Sequence, residues 1–505
     1  VFDKGYQKGE TNYRTYLSEL KAADPDVVFV PNYYVEMVVI ARQARELGIP
    51  GTGFVGGDGW DSSNLLEGAG AELEGAYFTN HYAPDVPWEN AKKFLAAYRA
   101  RFGREPSSVA AQGYDAARLV FDAAARAPKM DREGIRDALA ETKGFQGATG
   151  TLTIDEDRNA DKPIVVVQIK GGAFTYATEL RADKRPPPSP SVEAPRAREP
   201  RRDIRFFDAF VSGLTQGAMI ALVALGYTMV YGVLKLINFA HSEVFMMAAY
   251  VGLLLVTALG GATHPVLAGV VGTLLAMAGA SLLGVLVERA AYRPLRGRGK
   301  GALVRVTPLV TALGVSVLLQ NAAQLFFTAR FRPYPQLLGG TLRVPGLGQL
   351  SASRVLVLVT AVVVMVGLEV VVKRTWFGKA MRALSANEEA ARLMGVRTSR
   401  VIATTFALGS SLAALGAVLY CLDQSQVYPT MGVVIGTRAF VAAVLGGIGS
   451  IPGAMLGGLL IGVIGELVKL TDYSGGVDVL VFLVLILVLL VRPAGLLGSS
   501  RVEKV

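Results

Sequence analysis

The chain is poor in the residues on which most site chemistry depends: one cysteine, three histidines and three tryptophans among 505 residues. A lone Cys421 excludes an intrachain disulfide, and no metal-ligand cluster appears, three histidines and one cysteine arguing against one. No G-x-x-x-x-G-K-[ST] phosphate loop occurs, since Gly299-Lys300 lacks both the spacing and the hydroxyl residue that should follow. The chain therefore cannot power ATP hydrolysis itself. No nucleophile–base arrangement stands out, so we assign no catalytic residue, no metal site and no cofactor, and expect no enzyme activity. The chain opens at Val1, without a methionine or a secretion leader, inside what reads as a domain already under way. We expect a fragment or an unusual gene product from this.

What the chain has is apolar surface, unevenly spread. Half of its residues are hydrophobic. Before about Leu180 the pattern is that of a soluble α/β domain. After Phe206 it becomes a series of runs long enough to cross a bilayer core of about 30 Å. The net charge of +10 gives no indication of nucleic acid, because lysine and arginine gather in a linker and in short gaps between apolar runs. The expected organisation is a partial α/β binding domain over 1–180, a linker over 181–205 rich in proline and arginine, and a polytopic all-α membrane domain over 206–498. The linker should be an extended tether.

In the first part, helix patterns over Thr11–Ala23, Val35–Leu47, Trp88–Phe102 and Ser107–Arg126 alternate with strand patterns at Asp26–Pro31, Gly51–Gly57 and Ala76–Tyr82. This alternation predicts a parallel sheet covered by helices, with DVVFVP as a buried strand. Thr149–Asp155 and Ile164–Ala177 add strands, and Gly171-Gly172 supplies a hairpin turn. Open α/β sheets bind ligands beyond the carboxyl ends of their strands. Two such ends carry Asn32-Tyr33-Tyr34 and Asp58-Gly59-Trp60-Asp61. A carboxylate beside aromatic rings can hold an ammonium group. On these residues alone, a plain turn with packed rings is the simpler reading.

The membrane part shows apolar runs near Phe207–Val230, Phe239–Leu259, Pro265–Val287, Val306–Phe327, Val355–Val372, Val401–Leu419, Gly432–Leu445, Ala454–Leu470 and Val477–Val491. The short Gly432 run reads as a span, half a span or a re-entrant piece. Arg289–Arg305 carries six Lys/Arg and no acid, and Lys373–Arg400 carries seven against Glu388 and Glu389. Positive-inside bias places both gaps in the cytoplasm. Counting back from the first puts Phe206 outside. Counting forward puts Arg501 and Lys504 inside if the Gly432 run crosses. Small-xxx-small spacings at Gly432/Gly436, Gly453/Gly457 and Gly458/Gly462 suit close helix packing. Polar residues among these runs are costly in lipid. Lys235, Asn238, His241, Ser242 and Glu243 separate the first two runs, Gln320, Asn321 and Gln324 mark the fourth, and Glu369, Arg438 and Glu466 fall in or near later ones. They read either as a turn and interhelical hydrogen bonds, or as a broken helix beside a substrate pathway with Asn238, His241, Glu243, Gln320 and Asn321 as its candidates. In the Lys373–Arg400 gap, Ala386, Ala390, Leu393 and Met394 fall on one helical face and Glu388, Glu389 and Arg392 on another. Such a helix can seat in a partner's groove or lie on the inner lipid surface.

The run PNYYVEMVVIARQARELGI, then GGDGWDS, YFTNHY and GYDAARLVFDA, resembles the later half of leucine/isoleucine/valine-type periplasmic binding proteins. The resemblance implies ligand contacts from Tyr34, Asp58, Trp60 and Tyr114, with Asp58 pairing the ligand's α-amino group. The lobe that holds the family's carboxylate site is missing, so a half-cleft should bind amino acids poorly or not at all. YGVLKLINFAHSEVFMMAAY, GKAMRALSANEEAARLMG and AFVAAVLGGIGSIPGAMLGGLLIG resemble permease subunits of branched-chain amino acid ABC importers. Ser242 stands where that family usually has glycine. Glu388, Glu389, Ala390, Ala391 and Gly395 fall on the EAA loop, the element that docks on an ATPase subunit. The resemblance implies ABC ATPase subunits that use the ATP, a second permease subunit, a periplasmic substrate-binding protein and membrane lipid as partners. The implied location is a bacterial inner membrane, with the N-terminal domain in the periplasm. The substrate would be a branched-chain or related amino acid. Two other readings remain: an accidental or fragmentary fusion in which only the permease half works, and a membrane-anchored ligand receptor.

Overall fold

The computed structural model describes residues 3–6, 10–181, 202–236, 238–261, 263–295, 303–328, 331–335, 337–338, 340–344, 348–471 and 476–498. The tether expected over 181–205 lies mostly outside them, as do Arg501 and Lys504. The chain forms two compact units. One runs from Ala23 to Glu199, and the other joins Asp3–Ala22 to Pro200–Val505. The expected α/β domain began at residue 1, so the membership of residues 3–22 is a departure from it. Helix α1 (Arg14–Ala23) lies in that segment and is treated with the second unit.

The first unit is built from β1 (Val28–Val30), α2 (Tyr34–Glu46), β2 (Phe54–Gly56), α3 (Ser63–Ala69), β3 (Tyr77–Asn80), α4 (Glu89–Phe102), α5 (Ser108–Arg126), α6 (Arg132–Ala140), β4 (Phe145–Gly147), β5 (Gly150–Ile154), β6 (Ala160–Asp161), β7 (Ile164–Lys170) and β8 (Ala173–Leu180). The main sheet has the order β1-β2-β3-β7-β8. β1, β2 and β3 are parallel, and β7 and β8 add antiparallel. The β7–β8 hairpin turns at Gly171 and Gly172, with φ of +61° and +73°. Two successive positive φ values are what a tight hairpin needs and what glycine supplies without strain. Side chains of β7 alternate, so that Val165, Val167 and Ile169 are buried with Phe54, Phe78 and Leu65. Local chemistry sets the helix ends. Ser62, Ser107 and Asp131 cap α3, α5 and α6 by accepting backbone N–H bonds, and Gly48 at φ +74° follows the end of α2.

One strand differs from expectation. DVVFVP is not buried: Phe29 is 65% exposed and Val27 61%. A parallel strand normally needs cover on both faces, and α1, which precedes β1 directly, belongs to the other unit.

The second unit contains α7 (Arg202–Leu234), α8 (His241–Ala258), α9 (Pro265–Val287), α10 (Leu303–Phe327), α11 (Ala352–Arg374), α12 (Trp376–Ala386), α13 (Glu388–Leu393), α14 (Thr398–Gln424), α15 (Met431–Gly446), α16 (Ile451–Val468) and α17 (Val477–Val491). Every apolar run read from the sequence is a helix. Among the described residues seven helices are long and apolar enough to cross a membrane: α7, α8, α9, α10, α11, α14 and α16. α15 and α17 are shorter apolar helices. α7 and α14 are buried along most of their length. α9, α10 and α11 turn Leu282, Leu325 and Val363 outward, as helices do when lipid covers them.

Glycine fixes the tightest crossings. Gly213 and Gly217 of α7 meet Gly458 and Gly462 of α16. A Cβ placed on Gly462 would lie 2.3 Å from the Gly213 carbonyl oxygen and 2.4 Å from Gly217 Cα. Gly436 of α15 faces Ser242 of α8 in the same way, its own Cβ position being 2.2 Å from Ser242 Cβ. Gly436 thus makes room for the Ser242 side chain.

Candidate functional site

α11 and α14 each run the depth of the second unit, about 34 and 40 Å at 1.5 Å per residue for 23 and 27 residues. Between the carboxyl end of one and the amino end of the other sit α12 and α13, at one end of the unit. Asn387 caps α13 by accepting the Ala390 N–H at 2.9 Å. Glu388 and Glu389 occupy its first turn, where carboxylates favour the positive helix end. Glu388, Glu389 and Ala390 are exposed and Ala391 is buried, anchoring the helix to its unit. The helix stops at Gly395, φ +82°, with the Val396 N–H returning to the Ala391 carbonyl at 3.0 Å. Its apolar tip is uncovered, Leu393 being 88% and Met394 84% exposed. Gly395→Ala is expected to strain this stop by about 1–2 kcal/mol through backbone alone, because a Cβ there meets nothing within 4 Å. Faster amide exchange over 388–395 would register that strain.

Next to α13 lies a basic pocket that sequence reasoning used only to assign topology. It is lined by Arg289, Arg293, Arg392, Arg397 and Arg400, with Glu288 beside them. The charge density of the two gaps pointed to these residues. Their convergence could not be read, since one set follows α9 and the other precedes α14.

Three of the five pathway candidates, Asn238, His241 and Glu243, are buried in the unit. The chain breaks between Leu234 and His241, and the break is held by Tyr292, whose hydroxyl donates to Asn238 Oδ1 at 2.9 Å. His241 is buried, its ring edge-on to Tyr227 at 4.8 Å between centroids. Its Nε2 has no hydrogen-bond partner among the described residues. Glu243 is buried too. Its Oε1 accepts from the Ser316 hydroxyl at 3.4 Å, while Oε2 has no partner among the described residues. A Cβ on Gly432 would come within 2.9 Å of that oxygen, so α8, α10 and α15 meet at this carboxylate. Buried polar atoms without partners are rare and mark sites where something else binds or moves. Asn321 does not join them: it is exposed and donates to the Val317 carbonyl of its own helix. Gln320 is half-buried, one turn beyond Ser316, the α10 residue that does reach Glu243. The later polar residues are paired: Glu369 with Lys373 at 2.6 Å, Arg438 with Asp478 at 3.0 Å and Glu466 with Lys469 at 2.6 Å.

In the first unit, the carboxyl ends of β1 and β2 lie side by side. A Cβ on Gly59 would touch the Asn32 carbonyl oxygen at 2.5 Å and the Tyr33 ring at 3.2 Å, so the two loops are in contact. Tyr34 opens α2 and is half-buried. Asp58 is exposed and lies 3.7 Å from His81 Nε2. Burial, and then the charge of Lys162, hold the His81 imidazole below its ordinary pKa. Both effects favour the neutral form of the ring. Trp60 does not line open space: it is fully buried against Phe78, and its indole N–H donates to Asn32 Oδ1 at 2.9 Å. Asp61 accepts the Ser108 N–H at 2.6 Å and so ties α5 to this loop. Tyr114 of α5 is partly exposed and packs on Phe94.

These features define a helical unit with several membrane-length apolar helices, preceded by an α/β unit. The family model for the permease component of the branched-chain amino acid transport system matches residues 209–490, more than half of the chain, and the chain belongs to that family. The model for periplasmic binding proteins matches residues 2–173. The chain is 41% identical over 310 residues to the high-affinity branched-chain amino acid transport system permease protein BraD of Pseudomonas aeruginosa, covering 59% of this chain and 98% of that one. It is 30% identical over 186 residues to the Leu/Ile/Val-binding protein homolog 1 of Brucella suis, covering 36% of this chain and 46% of that protein. A solved leucine-binding protein LivK from Thermotoga maritima shares 38% identity with a TM-score of 0.33, covering 35% of this chain and 50% of the other. The chain thus spans about half the length of the binding proteins it matches.

Proposed function

We propose that the chain is a membrane permease subunit of an ABC importer for branched-chain or related amino acids. Separate ATPase subunits bind and hydrolyse the ATP and engage α13. Glu388, Glu389, Ala390, Ala391 and Gly395 hold that helix in place, and Leu393 and Met394 enter the ATPase groove. The Arg392, Arg397 and Arg400 side chains meet acidic residues on its rim. The observation that carries this reading is a short capped helix, between two spans, with an uncovered apolar tip. A second permease subunit completes the channel. Asn238, His241 and Glu243 line the pathway at the broken helix between α7 and α8, with Gln320 at its edge. The α13 end faces the cytoplasm of a bacterial inner membrane and the Asp208 end faces the periplasm.

The domain limits 1–180, 181–205 and 206–498 describe where each function resides in this reading. Tyr34, Asp58 and Tyr114, with Trp60 beneath them, form the ammonium side of an amino acid site. A separate periplasmic substrate-binding protein delivers the substrate to the permease. Reconstitution in vesicles with the ATPase pair, second permease and binding protein tests this. ATP-dependent leucine uptake is expected, and its absence would count against the reading. Asp58→Ala is expected to leave uptake within twofold of the unaltered chain, whereas Glu243→Ala lowers it tenfold or more. A large loss with Asp58→Ala would instead make the half-site a working part of the importer.

A further inference from the structure

Residues 10–20 are all buried in the second unit. The polar members of this stretch are not packed against apolar spans. Glu10, Asn12, Arg14, Thr15 and Ser18 each meet a buried polar residue at one end of the helices, while Glu19 pairs with Lys4 of the same segment. Arg14 Nη2 lies 3.1 Å from Asp423 Oδ1, near the end of α14, and its Nη1 donates to Asp423 Oδ2 at 3.1 Å. Glu10 Oε2 lies 3.0 Å from Lys469 Nζ, just past α16, and that ammonium also donates to the Asn12 carbonyl at 3.0 Å and to Glu466 at 2.6 Å. The Thr15 hydroxyl donates to Glu466 Oε2, and the Ser18 hydroxyl to Asp208 Oδ2 at the start of α7, both at 2.7 Å.

Charges taken out of water must be matched by partners, or their burial is strongly unfavourable. Asp423 receives a guanidinium, Glu466 and Asp208 receive hydroxyls, and Lys469 receives a second carboxylate. The donor segment lies within the stretch that matches periplasmic binding proteins, while the receiving residues, Asp208 aside, lie within the permease match. Two sequence types are thus joined here by specific polar contacts.

We propose that the ends of α7, α14 and α16 form a socket for a peptide whose helix begins with a guanidinium-bearing residue and carries a carboxylate four residues ahead of it in the extended lead-in. Residues Glu10–Ala22 fill it in cis and close that end of the unit. Only the consequence for transport rests on the permease reading; the seating does not.

The test uses the full chain in membranes, with Cys421→Ser removing its one cysteine. Cysteines placed by Ser18→Cys and Asp208→Cys are treated with a short, reducible thiol-to-thiol reagent, and the linked peptides are identified by mass spectrometry. Cross-linking is expected in high yield. Arg14→Asp should lower it at least tenfold, and Asp423→Arg in the same chain should restore it, which separates loss of the pair from general misfolding. No cross-link, or a yield indifferent to Arg14→Asp, overturns the socket. In reconstituted vesicles the cross-linked chain is expected to take up leucine at least tenfold more slowly than after reduction, and equal rates overturn the closing role. Uptake absent both before and after reduction counts against the permease reading and not against the socket, which the cross-link decides.

Discussion

Replacing Leu393 and Met394 together by aspartate is expected to abolish uptake and the co-purification of ATPase subunits, while the amount of permease in the membrane stays the same. Both side chains are more than four-fifths exposed, so neither supports the fold and their removal opens no cavity. In a partner's groove the balance reverses. Burying a Leu or Met side chain is worth about 1.5–3 kcal/mol, so the two contribute about 3–6 kcal/mol, at about 1.4 kcal/mol for each tenfold in affinity. Aspartates in their place would also require two carboxylates to be desolvated without partners. The expected loss in assembly is a hundredfold or more, read by pull-down of the ATPase with tagged permease. Alanine at both positions should give a smaller loss in the same direction. Unchanged assembly with the aspartates would place α13 on the lipid surface instead.

Gly462→Leu is expected to be the most damaging single change in the spans. Its Cβ would lie 2.3 Å from one backbone atom of α7 and 2.4 Å from another. Backbone cannot rotate away as a side chain end can, so α7 and α16 must move apart, and the contacts around Gly213, Gly217 and Gly458 go with them. Overpacking typically costs about 1–3 kcal/mol, and a rigid backbone contact belongs at or above the top of that range. Folded protein should be nearly absent from the membrane, and Gly462→Ala should already lower thermal stability. The matched control is Gly367→Ala or Gly314→Ala, where a Cβ meets nothing within 4 Å. Accumulation and a thermal unfolding curve in detergent would separate the two cases. Equal behaviour of Gly462→Ala and Gly367→Ala would show that the crossing is looser than its geometry.

The hairpin at Gly171-Gly172, the stop at Gly48, the apolar helices found among the described residues and the short helix before Gly395 were all legible in the chain itself. Each depends on a local property: the φ that glycine alone adopts easily, or the length of an apolar run. The small helices α3 and α6 were missed because their apolar faces are only two or three residues wide, too short for periodicity to register. The small-xxx-small stripes could be seen as stripes. That Gly458 and Gly462 meet α7 while Gly436 meets Ser242 could not, because spacing does not name a partner.

The sequence determined by itself which long apolar segments are helices and which gaps between them carry the positive charge. These follow from runs and periods that a neighbouring stretch of chain cannot alter. Only the tertiary structure decided that α1 belongs with the membrane helices and not with the strand that follows it. Its residues read locally as an ordinary amphipathic surface helix. What places it is Asp423 and Lys469, more than four hundred residues away, since a buried charge takes its position from its counter-charge and not from its neighbours in sequence.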